Sequence, residues 1–357
     1  MTSTAEVVAR DSRARGRSVA VERAHARRGA FIFLALWAAL ILLTVFSLVF
    51  GRYTVPWQSW WQVLTAPASS GIPGIVLLQV RLPRVLASLL IGGGLSVAGA
   101  AFQGLFRNPM ASPDILGAYA GAGFGASLGI LFGFSIVGIQ ILGFAGGLAA
   151  VLVAWSLAAS ASRFGGDPTL MLILVGIIVR EAGMALIRLI EYVADPHGKL
   201  AAITFWLVGG LAAINPHDLQ FAAVPIALGV IPMLLLRWKL NVLSFGEEEA
   251  KALGVNPWRI RIVIIVCSAM ISAAVVSVAG MIMWVGLVIP HLARMVVGAN
   301  HKALLPASFL IGSCYLLLVD DCARGLFALE VPLGILTSLV GVPFFLYLIF
   351  RTRMGRA

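Results

Sequence analysis

Apolar residues in this chain do not alternate with polar ones; they run. Stretches close to the length that crosses a hydrocarbon layer as helix, about 20 residues, recur at 30–50, 84–106, 113–132, 139–160, 169–191, 219–237, 260–282, 284–298, 304–322 and 332–351. The pattern predicts an all-α, polytopic membrane protein with about ten transmembrane helices. Between the first two spans lies a polar, aromatic stretch with Trp57, Trp60 and Trp61, which suits a short helix at the bilayer interface. A second short amphipathic piece, Leu200 to Ala213, precedes the sixth span. Residues 1–29 are rich in Arg, Ala and Ser, lack an apolar run, and read as a basic, disordered cytoplasmic tail ahead of a transmembrane domain over 30–357. Ala30 to Phe50 is long enough to span and has no convincing cleavage site, so it reads as the first helix and not a signal peptide.

Composition agrees with the pattern. Hydrophobic residues make up 60% of the 357 and charged ones only 11%, against about 25% in soluble domains. The net charge of +11 invites a nucleic-acid reading, but its distribution excludes one. The basic residues crowd the amino terminus and the ends of spans, where they act as topology signals. With both termini in the cytoplasm, most of the 26 basic residues fall on the cytoplasmic side. Arg52, Arg81, Arg84, Arg180, Arg188, Lys199 and Arg324 oppose that bias. Cys267, Cys314 and Cys322 sit in apolar segments, without metal-ligand spacing, and read as small packing residues. A faint repeat pairs Ser96-Val97-Ala98-Gly99 with Ser277-Val278-Ala279-Gly280, Pro109 with Pro290, and Gly117 with Gly298. The two halves would be inverted, as in many transporters.

Four features bear on mechanism. The phosphate-binding pattern Gly-x-x-x-x-Gly-Lys-Ser/Thr is missing, so an ATP-driven process would need its engine on another polypeptide. No catalytic or metal-ligand constellation stands out, and the five histidines are scattered. The longest cytoplasmic loop, 239–259, holds Ser244 as a candidate cap with Glu247 three residues on, then a short helix ending at Gly254. Pro257 can open a second one. This is either a rigid knob or an ordinary amphipathic connector. The fifth span carries Arg180, Glu181, Arg188 and Glu191; positions 181, 184, 188 and 191 share one face, with Met184 between the charges. Ionisable groups inside a span face a cavity or a partner, so the stripe reads either as the lining of a path or as a salt-bridge ladder between helices.

Several blocks resemble the FecCD family of permeases, type II ABC importers with an inverted repeat that take up ferric siderophores, haem and cobalamin. They are Arg81-Leu82-Pro83-Arg84, Gly99, Gln103, Arg107-Asn108-Pro109-Met110-Ala111, Pro113 and Leu116-Gly117; then Gly246-Glu247, Ala250 and Leu253-Gly254; then Gly286 to His291, Arg294, Leu304-Leu305-Pro306 and Pro332 to Thr337. The resemblance covers nearly everything after residue 30. It departs at Met281 to Trp284, at the doublet Asp320-Asp321 and at Arg180-Glu181. The resemblance implies a multi-pass permease in a bacterial or archaeal cytoplasmic membrane. Two copies form the pore, two ATPase subunits bind ATP and magnesium, and a periplasmic or lipid-anchored binding protein docks outside. It implies ATPase coupling at Gly246, Glu247, Ala250, Leu253 and Gly254, and docking of the binding protein at Arg81, Arg84 and Arg324. Snorkelling of those arginines to lipid headgroups is the alternative. Gln103, Asn108, Pro109, Arg180, Glu181, Met184 and Arg188 are the candidate translocation path. No cofactor is expected in the chain itself. The expected cargo is a metal chelate, first a ferric siderophore or haem, with cobalamin, molybdate or tungstate as alternatives. An ion-gradient-driven secondary transporter is the rival from another class; it would need a deep ion site and no coupling loop.

Overall fold

The computed structural model describes residues 4–65, 71–164, 167–326 and 329–354. Its helices are α1 (Thr4–Val49), α2 (Trp57–Thr65), α3 (Gly71–Gly74), α4 (Leu82–Leu105), α5 (Ala118–Leu131), α6 (Ile136–Ala161), α7 (Pro168–Val193) and α8 (Lys199–Val208). They continue with α9 (Pro216–Leu235), α10 (Arg237–Phe245), α11 (Glu247–Ala252), α12 (Pro257–Ala279), α13 (Val285–Val297), α14 (His301–Gly325) and α15 (Leu333–Met354). A π-helical stretch, Ile75–Arg81, joins α3 to α4 as one long rod. No strand occurs among the described residues. Among the described residues seven helices are long and apolar enough to cross a membrane, and the segments Ala118–Leu131, Lys199–Val208, Val285–Val297 and Leu333–Tyr347 are apolar but shorter.

Each of the ten expected spans coincides with a helix, and the differences have local causes. The third is cut short because Gly117 takes a left-handed conformation, φ +82°, so α5 starts only at Ala118. The basic tail, expected to be disordered, is helical from Thr4 onward. Its Ala, Arg and Glu residues favour helix, and extending the first span avoids the cost of a new nucleus. The two Ser-Val-Ala-Gly tetrapeptides occupy unlike places: one lies inside α4, the other at the end of α12 where Gly280 breaks the helix at φ +69°. Of the cysteines, Cys267 is buried as expected but Cys322 is exposed.

Side-chain caps set the starts of most long helices. Asp167 accepts from the Thr169 amide at 2.7 Å ahead of α7, and Asn256 from the Arg259 amide at 3.3 Å ahead of α12. Asn215 and Asp218 form a reciprocal capping box at α9. Pro168, Pro216 and Pro257 open α7, α9 and α12, where a missing N–H costs nothing.

The core is the rod ending in α4. In the most apolar stretch of Gly71–Leu105, 83% of residues are buried, against 72% in α12, 22% in α7 and 11% in α1. Along that rod α4 packs against α14, α9, α13 and α12. Small residues permit the close approach. A β-carbon on Gly99 would overlap the Gly286 backbone of α13, which cannot move aside. Gly99→Ala should therefore lower stability by about 1–3 kcal/mol, read as a depressed melting temperature of the detergent-purified protein.

Candidate functional site

The helix ends fall into two groups. At one end Arg107, Asp167, Thr169, Glu247 and Arg261 line a polar cavity of about 130 Å3. Nearby, Asn241 donates to Asn300 at 2.7 Å and accepts from the backbone amide of His301 at 2.7 Å. This end carries the loops rich in Lys and Arg. At the opposite end the carboxyl terminus of α1, the amino terminus of α4 and the carboxyl terminus of α14 meet through charge.

There Arg84 Nε donates to both carboxylate oxygens of Asp320 at 3.0 Å, and its Nη1 donates to Glu330 at 2.9 Å. Asp321 accepts from Arg324 and, at 2.8 Å, from the Ser47 hydroxyl. Arg324 also donates to the Ser47 carbonyl at 2.9 Å. Arg81 donates to the carbonyls of Leu48, Val49 and Tyr53, which occupies acceptors that the end of α1 leaves open. The three arginines expected to greet a docking partner are thus turned inward: Arg81 is 4%, Arg84 6% and Arg324 6% exposed. An ionised group among apolar spans is costly unless paired, and the unusual Asp320-Asp321 doublet supplies the counter-charges. Arg84 and Glu330 also edge a cavity of about 470 Å3, walled by Trp206, Leu211, Val331 and Leu333.

Beside that cavity the chain between α12 and α13 is not helical. Tyr119 donates to the Ile282 carbonyl at 3.1 Å, the Met281 amide donates to Leu207 at 3.3 Å, and Trp284 takes φ +72°. Irregular backbone among membrane helices is tolerated only where protein satisfies it or a cavity borders it; both hold here. The segment is one of the places where the sequence departs from the family pattern.

At the basic end, Gly246 separates α10 from α11 at φ +142°, and a β-carbon there would strike the Glu249 carboxylate. Gly254 stands at φ +73° after α11. Ala250 is fully buried while Phe245, at the end of α10, and Leu253 are exposed, so two apolar side chains flank the acidic Glu248 and Glu249. The expected cap by Ser244 is not formed. Its hydroxyl donates to the Asn241 carbonyl at 2.6 Å and it belongs to α10, while Gly246 precedes α11. The helix that Pro257 opens is the long span α12 itself. Glu247, expected to face a partner, is bound by Arg261 at 2.5 Å.

The candidate path residues do not form one cluster. Gln103 is buried, accepts from Arg294 at 2.6 Å and donates to the Leu287 carbonyl at 3.2 Å, fastening α13 to α4. Asn108 and Pro109 lie in the exposed turn after α4, where Asn108 accepts from the Met110 amide at 2.9 Å. On α7, Arg180 pairs with its neighbour Glu181 at 2.9 Å; the Arg180 side chain is half-buried (40% exposed) and that of Glu181 is exposed (59%). Arg188 is exposed and Met184 half-buried on the same helix. Sequence reasoning missed Asp320, Asp321, Arg261 and Asn241. The two acids inside an apolar span were the available signal; the other two have none. Among the described residues no cluster of His, Cys, Asp and Glu could hold a metal ion.

Among the described residues, an all-helical body with seven helices able to cross a membrane is that of a multi-pass membrane protein. The model of the FecCD transport family matches residues 39–351, and the chain belongs to that family of ABC-transporter permeases. It is 42% identical to the molybdate import system permease protein MolB of Haemophilus influenzae, over 91% of this chain and 96% of that one. It is 38% identical to the probable iron chelatin transport system permease protein of Helicobacter pylori strain 26695, over 88% and 97%. A solved structure assigned to the metal-chelate type of ABC transporter, in an inward-facing conformation, superposes with a TM-score of 0.80 at 41% identity, covering 90% of this chain and 99% of the other.

The charge cluster sets a stability test. Arg84→Gln leaves Asp320 only Arg324, at 3.7 Å, and should cost about 3–5 kcal/mol, whereas the double replacement Arg84→Met with Asp320→Leu should recover most of that loss. Thermal unfolding of the three proteins in one detergent reads the difference.

Proposed function

We propose that this permease moves an anionic metal chelate, a ferric siderophore or haem, inward across a bacterial or archaeal cytoplasmic membrane. It works as two copies of itself, with two ATPase subunits at the basic end and a periplasmic or lipid-anchored binding protein at the other; both termini are cytoplasmic. The observation that carries the reading is the exposed charged face of α7, with Arg180, Glu181 and Arg188 on a helix that crosses the membrane. Such groups cost about 2.5–3.5 kcal/mol each against lipid at a span centre. They therefore front a second copy and a watered path, where two guanidiniums can greet a negatively charged cargo. The Helicobacter pylori relative named for an iron chelatin supports this choice. A second cargo, molybdate or tungstate, is favoured by the identity to the Haemophilus influenzae molybdate permease.

The chain lacks a phosphate-binding loop, so ATP and magnesium belong to the partner. The Gly246–Gly254 segment, with its exposed Leu253 and the exposed Phe245 just before it, fits a groove on that partner. The three inward-turned arginines leave docking of the binding protein to other groups at that end, among them Glu330, whose side chain is 33% exposed.

In proteoliposomes holding the partner ATPase and binding protein, Arg180→Gln and Arg188→Gln should transport a ferric chelate several-fold more slowly with an unchanged melting curve. Parental transport, or loss through failed assembly, would sink the path reading. Labelled molybdate in the same vesicles decides between the two cargoes. Ala250 packs inside its own chain and Leu253 is the exposed apolar residue of the segment, so Leu253→Arg should release the ATPase during purification while the chain still inserts; full retention of the ATPase would count against the coupling role.

A further inference from the structure

Arg261, near the start of α12, touches two elements that have no other polar link in this chain's described residues. Its Nη2 donates to Glu247 Oε1 at 2.5 Å and to the Thr169 hydroxyl at 3.2 Å. Glu247 opens α11 inside the segment assigned to the ATPase. Thr169 stands in the first turn of α7, the helix that carries Arg180, Glu181 and Arg188. We propose that Arg261 is a positioning residue that transmits displacement of the Gly246–Gly254 segment to α7 through the chain Glu247–Arg261–Thr169. The inference rests on the importer reading above and names how the drive would reach the path.

Three observations support transmission in that direction. First, the other side of the segment is anchored to the static core. Asn241 of α10 holds Asn300 and the amide and Nδ1 of His301, and the His301 ring lies against Gly104 of α4, where a β-carbon would overlap it. A push on the segment meets α14 and α4 there, in the most buried part of the fold. Second, α7 lies outside that core. Only 22% of its most apolar stretch is buried, and it packs mainly on α5 and α6. Third, the link has room to work. The cavity of about 130 Å3 beside it is lined by these groups, by Arg107 and Asp167, and by the apolar Leu105, Phe106, Leu243 and Pro257, so the guanidinium has free volume on its polar side. Asp167 caps α7 in the same cavity, at 2.7 Å from the Thr169 amide. The first turn of α7 is therefore held by its cap and by Arg261. A planar guanidinium suits this role because it bonds two acceptors at once in fixed directions, which a lysine ammonium does not.

The test uses the full complex of permease, ATPase and binding protein in proteoliposomes, with cargo imported per ATP hydrolysed as the readout. Thr169→Val keeps the shape of the side chain and removes the acceptor. It should lower that ratio by about tenfold, the change one hydrogen bond to a charged donor can supply, while ATP hydrolysis and the melting temperature stay near parental. Thr169→Ser should restore the ratio, and Arg261→Lys should behave like Thr169→Val. A parental ratio in Thr169→Val overturns the link. So does a ratio that falls only together with the melting temperature, because Arg261 would then be a structural strut. A parent chain that retains no ATPase overturns the importer reading itself, and the link with it.

Discussion

Hydrocarbon offers no hydrogen-bond partner, so each polar group among the spans must be satisfied from within the protein. The placement of charge in this chain follows from that constraint. Arg84, Arg324, Asp320 and Asp321 are buried and neutralise one another, and Arg81 spends its donors on the open carbonyls of α1. The result is a polar clamp joining the ends of α1, α4 and α14. Replacing it with apolar residues could match its stability; what the clamp adds is direction, since each guanidinium fixes the rotation of the helix it binds.

The two ends of the molecule use charge differently. At the clamped end the groups are buried and mutually paired. At the basic end Glu247, Arg261, Asp167 and Arg107 border a small polar cavity and are partly exposed. A buried pair holds geometry; a pair beside water and free volume can exchange partners at small cost. Burial of the apolar stretches within this chain falls from α4 through α12 to α7.

The α12–α13 break and the Gly117 turn show how irregular backbone is housed. Gly280 tucks under the end of α8, Ala279 accepts from the Gly210 amide at 2.8 Å, and Trp284 stacks edge-on to Phe345 with ring centroids 6.0 Å apart. The unwound residues thus border the two larger cavities on this side of the fold, of about 470 and 600 Å3, with their backbone groups bonded to α8 and α5.

Much of this was legible from the chain alone. Apolar run length is a local property set by bilayer thickness, so every span was visible, as were the family and the glycines that punctuate the Gly246–Gly254 segment. Charged residues inside spans were visible as exceptions, but not their partners. Arg84 and Asp320 are separated by 236 positions, and Arg261 and Thr169 by 92, and no local pattern pairs residues so far apart. The direction a charge faces was therefore decided by tertiary packing: Arg81, Arg84 and Arg324 turn inward because α1 and α14 bring acceptors to them, and Glu181 and Arg188 stay exposed on α7. Sequence determined which segments enter the membrane, because that depends on the free energy of each segment by itself. Structure decided which charges bind one another and which remain available, because that depends on segments distant in sequence arriving side by side.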